Sequence, residues 1–406
     1  MPDTHSDPQQ RVGQHTPAVA GPDVTPSDQP SRSQEQARLP LRDWILLPLL
    51  GAITIAVLGE GTRLIADREV VRSKQVVGTC IQQTGSGPRH GVPNSVCVEK
   101  NSSNKLVEYR FNSCGDRTPL DCGPKPAGVY RIVLIGSSIP MGWGVSEKDS
   151  LAERLVTDLS QSTHRRVEVY NSAMEGSGGS PDALANRMSQ IMALQPDLIL
   201  WVMSSWDIDP DKIRVQEKAS QGGLTGWHAP TRILTKFKIV SFLTELLYRS
   251  ESVFMSAYLR NIQEGAQLPA VSSNDEDARM RSFSVDAGTI VDRAKAAGVP
   301  VVATFLPNRG EAALILMSPR SAPTDPVRLG NELRNVIVSD GAIFVDAVPD
   351  LREAPDLDVL YDQLGFHLTT KGHAVLTQIL ARALTGGAIP ALSMNQQARP
   401  DQTKLK

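Results

Sequence analysis

Four short polar loops of this sequence gather the residue types of nucleophilic acyl chemistry. The apolar run Arg131 to Ile135 empties into Gly136-Ser137-Ser138-Ile139-Pro140-Met141-Gly142-Trp143-Gly144, which presents two hydroxyls among glycines. A second loop, Asn171 to Gly179, is rich in glycine; a third reads Ser204-Ser205-Trp206-Asp207; a fourth, Tyr361 to His373, carries two histidines. A serine alcohol is unreactive until a base takes its proton as it attacks, and neutral imidazole can do this near pH 7. Ser138 is therefore the candidate nucleophile and His367 the candidate base. His373 reads as a structural hydrogen-bonding residue at a helix start. A serine-rich turn is by itself only a turn, and the convergence of four such loops carries the reading.

Convergence requires a scaffold that brings loop ends together. From Val129 onward the pattern alternates between strand and helix. Candidate strands are Val129 to Ile135, Arg166 to Tyr170, Leu198 to Met203, Pro300 to Leu306 and Ala342 to Val345. Candidate helices cover about Ser150 to Ser160, Ser180 to Leu194, Asp286 to Ala297, Pro326 to Val338 and Thr370 to Leu384. Several strands are continuously apolar, as strands buried on both faces of a parallel sheet must be. The expected fold class is α/β, a three-layer α/β/α sandwich around a mainly parallel sheet, where chemistry collects at the carboxyl ends of the strands. Residues 208 to 285 interrupt the alternation as a helical insertion. Within it Thr231 to Ile262 reads as amphipathic, with an aromatic face of Phe237, Phe242, Tyr248, Phe254 and Tyr258 expected to pack on the sheet or form a lid, with a partner-binding helix as the alternative.

Outside this domain the composition changes. Residues 1 to 40 are dominated by Pro, Gln, Ser, Thr and Asp and are expected to be a disordered tail, as is 391 to 406. Trp44 to Gly59 holds no charged residue, and a helix over 41 to 66 is long enough to cross a bilayer. A single membrane anchor is the leading reading, beside a buried soluble helix and a cleaved signal. All four cysteines, Cys80, Cys97, Cys114 and Cys122, fall in residues 67 to 127, a small loop-rich segment. Two disulfides on an oxidising face are expected, with three pairings open; a structural zinc and unpaired core cysteines are the alternatives. A formal net charge of -2 over 406 residues gives no reason to expect a nucleic-acid partner. No Walker loop, dinucleotide fingerprint or HExxH motif is present, and no cofactor or metal is expected for the reaction.

With these blocks the chain, over roughly 129 to 386, resembles the SGNH/GDSL hydrolase superfamily. Gly136 to Gly142 is similar to its first block, with Ser138 in the nucleophile's place and Ser137 where Asp is usual. Asn171 to Gly176 is similar to the second, which implies the Gly176 amide as an oxyanion donor. His367 to His373 is similar to the last. The resemblance implies a flavodoxin-like sandwich. Two positions depart from it. Trp206 stands where an Asn amide usually completes the oxyanion site, so that Ser205 becomes a substitute donor, and Leu364 stands where the acidic partner of histidine usually lies. Asp362 is the nearest acid and can orient His367 only if the loop bulges.

The expected protein is a membrane-anchored serine esterase or O-acyltransferase working through an acyl-Ser138 intermediate. Its partners are membrane lipid, through residues 41 to 66, and an ester-bearing small molecule or O-acetylated glycan. Its place is the cytoplasmic membrane, single-pass, with the catalytic domain periplasmic or extracellular. The alternative is a non-catalytic carbohydrate-binding or assembly protein that retains the fold.

Overall fold

The computed structural model describes residues 41–73, 80–83, 89–101, 105–208, 243, 246–247, 249–265, 273–317, 326–354, 357–362 and 366–393. The chain divides into two units, Met1–Thr54 and Ile55–Lys406. In the first, the described residues are helical. The helix Leu41–Ser73 contains Pro48, and its stretch Trp44–Ala66 has a mean hydropathy of 1.8 with none of its window buried. Length and composition suffice to cross a membrane. Residues 1–40 and 394–406, Phe237, Phe242, Tyr248 and Leu364 lie outside the described residues. The expected tail from 391 begins later, because Leu392 is buried in the core from the turn Pro390–Leu392.

The second unit begins with two antiparallel ribbons. Strand β1 (Ile81–Gln83) pairs with β2 (Arg89–Gly91), and β3 (Val96–Lys100) pairs with β4 (Leu106–Arg110). Disulfides join Cys80 to Cys97 and Cys114 to Cys122, which selects one of the three open pairings. The first ties ribbon to ribbon; the second closes a short loop after β4.

Five parallel strands follow: β5 (Val129–Gly136), β6 (Arg166–Asn171), β7 (Leu198–Ser204), β8 (Val301–Leu306) and β9 (Ile343–Val345). Their spatial order is β6-β5-β7-β8-β9, and every pairing is parallel. The direction of winding reverses beside β5, and a crevice opens there at the carboxyl ends of β5 and β7. Alternation along β5 feeds two cores. Ile132 and Leu134 pack with Leu151, Leu155 and Leu159 of helix Leu151–Thr163 and with Leu376 and Leu380 of helix Thr370–Ala383. Val133 and Ile135 point the other way, toward Leu184 and Met188 of helix Pro181–Ala193 and Ile290 of helix Ser273–Ala296. The result is the expected three-layer α/β/α sandwich. Ser150, Ser180 and Thr369 cap three of these helices by accepting the backbone N–H three residues on.

Two expectations shift. The helix expected from Asp286 starts at Ser273, and Asp277 stands in its early part, toward the positive end of its dipole. Helix Glu251–Gly265 turns its aromatic residues onto helix Arg309–Met317 rather than onto the sheet. Phe254 is buried, stacks on Tyr258 at 6.1 Å between centroids, and lies under the Arg309 guanidinium at 3.8 Å.

One polar pair crosses the apolar sheet. Arg131 on β5 and Glu168 on β6 are register partners, both almost fully buried, with Nη2 to Oε2 at 3.0 Å. The guanidinium also donates to the Leu194 carbonyl at 2.8 Å and sits 4.6 Å from the centre of the Tyr170 ring. Removing one partner strands a buried charge. Glu168→Leu is expected to cost about 3–5 kcal/mol, with the double change Arg131→Met/Glu168→Leu recovering part of it. Urea unfolding of both proteins is the check, and equal losses would show that the stranded charge is not the cause.

Candidate active site

Strand β5 delivers the serine loop to the crevice. Gly136 ends it at φ 135°, a conformation that side chains rarely adopt, and a Cβ there would meet the Val202 carbonyl oxygen at 2.3 Å. The chain then turns at once into the one-turn helix Ser138–Met141, leaving Ser138 half-buried at its first position. Opposite, the loop after β6 presses close. A Cβ on Gly179 would meet the Gly136 carbonyl oxygen at 2.3 Å and the Ser137 Cα at 2.4 Å. Gly176, the expected oxyanion donor, opens the same 3-10 turn, Gly176–Gly179.

His367 reaches Ser138 from the far end of the chain. Its Nε2 lies 3.0 Å from the Ser138 Oγ, across a sequence separation of 229 residues. The loop that carries it folds back on itself. Tyr361 bridges to Leu368, the Asp362 N–H donates to the His367 carbonyl at 2.8 Å, and the buried Tyr361 hydroxyl donates to the Pro307 carbonyl at 2.7 Å. This return brings Asp362 to the other edge of the imidazole, with Oδ2 at 3.7 Å from Nδ1. That is an ion-pair distance, longer than a hydrogen bond. A carboxylate on this side favours the tautomer with its proton on Nδ1, which leaves the Nε2 lone pair for the serine hydroxyl. The Asp362 Oδ1 also accepts the Phe366 N–H at 3.2 Å, so the acid braces the loop as well as facing the ring.

His373 differs from the expectation. It is buried in the first turn of helix Thr370–Ala383, and neither ring nitrogen has a hydrogen-bond partner among the described residues. Burial, with help from the Arg117 and Arg154 charges, pushes its pKa down to about 3, so it is a neutral packing group.

The third loop leaves β7 as the 3-10 turn Ser205–Ile208, with Ser205 buried; the side chain of Trp206 lies outside the described residues. Asp207 is the residue that sequence reasoning undervalued. Its Oδ2 accepts the Ser204 N–H at 2.6 Å and the Ser204 hydroxyl at 3.2 Å. It thereby braces the turn at the end of β7. Only the Ser-x-x-Asp spacing from Ser204 signals this arrangement.

The turn after Ser138 is held from two sides. Fully buried Asn171, the last residue of β6, donates its Nδ2 to the carbonyls of Pro140 at 3.0 Å and Met141 at 3.3 Å. Arg117, from the loop closed by Cys114–Cys122, donates Nη1 to the carbonyls of Met141 at 2.8 Å and Gly142 at 2.5 Å, and Nη2 to Val145 at 2.7 Å. Its guanidinium lies 4.2 Å from the centre of the Tyr109 ring, and the Tyr109 hydroxyl accepts the Gly144 N–H at 2.8 Å. The cysteine segment is thus a wall of the site. Nothing local in the sequence marks Arg117 for this role.

Desolvation by burial raises the Asp207 carboxyl to about 7, against the opposing pull of its hydrogen bonds from Ser204. The native state therefore holds this proton more tightly than the unfolded chain does. Its contribution to stability is complete below the ordinary aspartate pKa, near 4, and is lost as pH rises through about 7. The difference in unfolding midpoint between wild type and Asp207→Asn is expected to change between pH 4 and pH 8 in favour of the variant. A difference that stays constant across that range would refute the assignment.

No family model and no curated protein matches this chain. Solved structures do resemble it. A lipase/acylhydrolase from Enterococcus faecalis is 14% identical, covering 63% of this chain and 96% of that one, with a TM-score of 0.37. The psychrotrophic esterase EstA from Pseudoalteromonas sp. is 10% identical, covering 63% and 97%, with a TM-score of 0.36. A catalytic mutant of Axe2, an acetylxylan esterase from Geobacillus stearothermophilus, is 12% identical, covering 62% and 93%, with a TM-score of 0.37. The parallel sheet of this chain carries Ser138 after its first strand and His367 before its last described α-helix, in an α/β sandwich.

Proposed function

We propose that the chain is a membrane-anchored serine esterase or O-acyltransferase whose catalytic domain lies outside the cytoplasmic membrane. The observation that carries this reading is the 3.0 Å approach of Ser138 Oγ to His367 Nε2, with Asp362 on the opposite edge of the ring. In the proposed reaction Ser138 Oγ attacks the ester carbonyl while its proton passes to Nε2. The tetrahedral oxyanion is held by the amides of Ser138 and Gly176, with Ser205 as a further donor. Its collapse breaks the bond to the leaving alcohol, which takes the proton from His367, and leaves an acyl-Ser138. Attack by water completes hydrolysis; attack by a sugar hydroxyl completes transfer.

Catalysis by this pair requires that Ser138 be chemically reachable. The full-length protein in detergent is expected to gain one organophosphonate adduct, located on Ser138 by mass spectrometry and missing from Ser138→Ala. His367→Ala should lower kcat on an activated acetate ester by about 10²- to 10⁴-fold. A folded protein that refuses the label while a control esterase reacts would instead favour a non-catalytic carbohydrate-binding or assembly role.

The location rests on separate supports: the apolar helix Trp44–Ala66, and two disulfides in the segment that follows it. An enzyme reporter fused after Pro390 is expected to be active outside the membrane only. Cytoplasmic activity of the fusion would overturn the topology.

A further inference from the structure

The wall that the cysteine segment forms beside the site is not flat. Between it and the serine loop lies a cavity of about 100 Å³. Its apolar lining includes the Cys80–Cys97 disulfide, Phe111 and Met141; its polar lining is Arg89, Glu99 and Glu175. Trp143 forms one side and links the cavity to the reacting pair, its ring centroid standing 6.0 Å from that of His367. Met141 belongs to the same single turn of helix as Ser138, and Glu175 immediately precedes Gly176. Whatever occupies the cavity therefore touches the residues that flank the reaction.

The lining discriminates among occupants. A hydrocarbon chain would cover the Glu99 carboxyl without offering it a hydrogen bond, at a cost. A phosphate or carboxylate would meet one guanidinium, which is already engaged by Glu175 at 3.6 Å. A cation finds little net charge to bind, because burial, and after it the nearby Glu175, raise the Glu99 carboxyl to about 8 and leave it largely protonated at neutral pH. A neutral carboxyl both donates and accepts, which matches a hydroxyl. The half-buried indole of Trp143 supplies a flat apolar face for ring C–H groups.

We infer that this cavity is a subsite for a neutral pyranose ring, which it holds by Glu99 and the face of Trp143 so that an O-acetyl group on the ring is presented to Ser138. The inference deepens the esterase or acyltransferase reading and rests on it for the reaction, although the subsite itself is a matter of binding. It also gives the cysteine segment a role in selecting substrate, since Arg89 and Glu99 come from its two ribbons.

The test compares two esters on the full-length protein in detergent: para-nitrophenyl acetate, which has no sugar, and an O-acetylated methyl glucopyranoside. The quantity read is the ratio of kcat/KM for the pyranoside to that for the nitrophenyl ester. Glu99→Leu is expected to lower this ratio by about 3- to 10-fold, the value of one hydrogen bond, and Glu99→Gln, which can still donate and accept, to restore it. Should Glu99→Leu not fold, Trp143→Leu replaces it, and loss of the indole face is expected to lower the same ratio. An unchanged ratio in the folded variant, or a wild type that cleaves the nitrophenyl ester and leaves the pyranoside intact, overturns the subsite while leaving the esterase reading in place. A wild type inactive on both esters counts against the esterase reading. Calorimetric titration of the pyranoside into Ser138→Ala then decides the subsite alone: binding heat that disappears on adding Glu99→Leu supports it, and absence of heat overturns it.

Discussion

The carbonyls of Met141, Gly142 and Val145 are the constraint around which this site is organised. A helix of a single turn cannot satisfy its own last carbonyl groups, and Met141, Gly142 and Val145 are buried. Arg117 meets all three with one guanidinium, Asn171 adds a second donor to Met141, and the Val145 N–H adds one to Gly142. Without Arg117 and Asn171 the Met141 and Val145 carbonyls would lose these donors. The dependence runs outward from there. Arg117 requires the loop that bears it, that loop is closed by Cys114–Cys122, and Tyr109 of the neighbouring ribbon supports the guanidinium from its face.

The sandwich was largely legible in the sequence because its physics is local. Strands buried on both faces read as unbroken apolar runs, and all five observed strands fall within a residue of the stretches read from the chain. Strand ends could be read too, since Gly136, Asn171 and Ser204 each close an apolar segment and lead into small or polar residues. What could not be read is whatever depends on distant pairing. Arg117 lies before the first strand of the sheet and acts on a turn some two dozen residues later, so no periodicity announces it. Asp362 could face His367 only if the loop bulged, which its five-residue spacing does not by itself announce; the bridge between Tyr361 and Leu368 brings the two side chains together. The early start of helix Ser273–Ala296 was hidden for another reason, the weak amphipathicity of its exposed first turns, although its acidic beginning was there to be seen.

Buried ionisable groups beneath the site follow one rule. For Asp207, His373 and Glu99 the largest influence is loss of water, and each is moved toward its uncharged form. The Arg117 guanidinium under the serine turn is a charged group among them, and it is engaged by three backbone carbonyls and the face of the Tyr109 ring.

The loop closed by Cys114–Cys122 also bears on how the site behaves when it fluctuates. Arg117 is three residues from one sulfur and five from the other, so a thermal opening of the wall cannot carry its guanidinium far from the carbonyls it serves. The crosslink holds that donor at a high effective concentration near its acceptors, and reclosure is a local search rather than a long-range one. The disulfide thus acts as a tether: its main effect on the serine turn lies in how briefly the turn stays open.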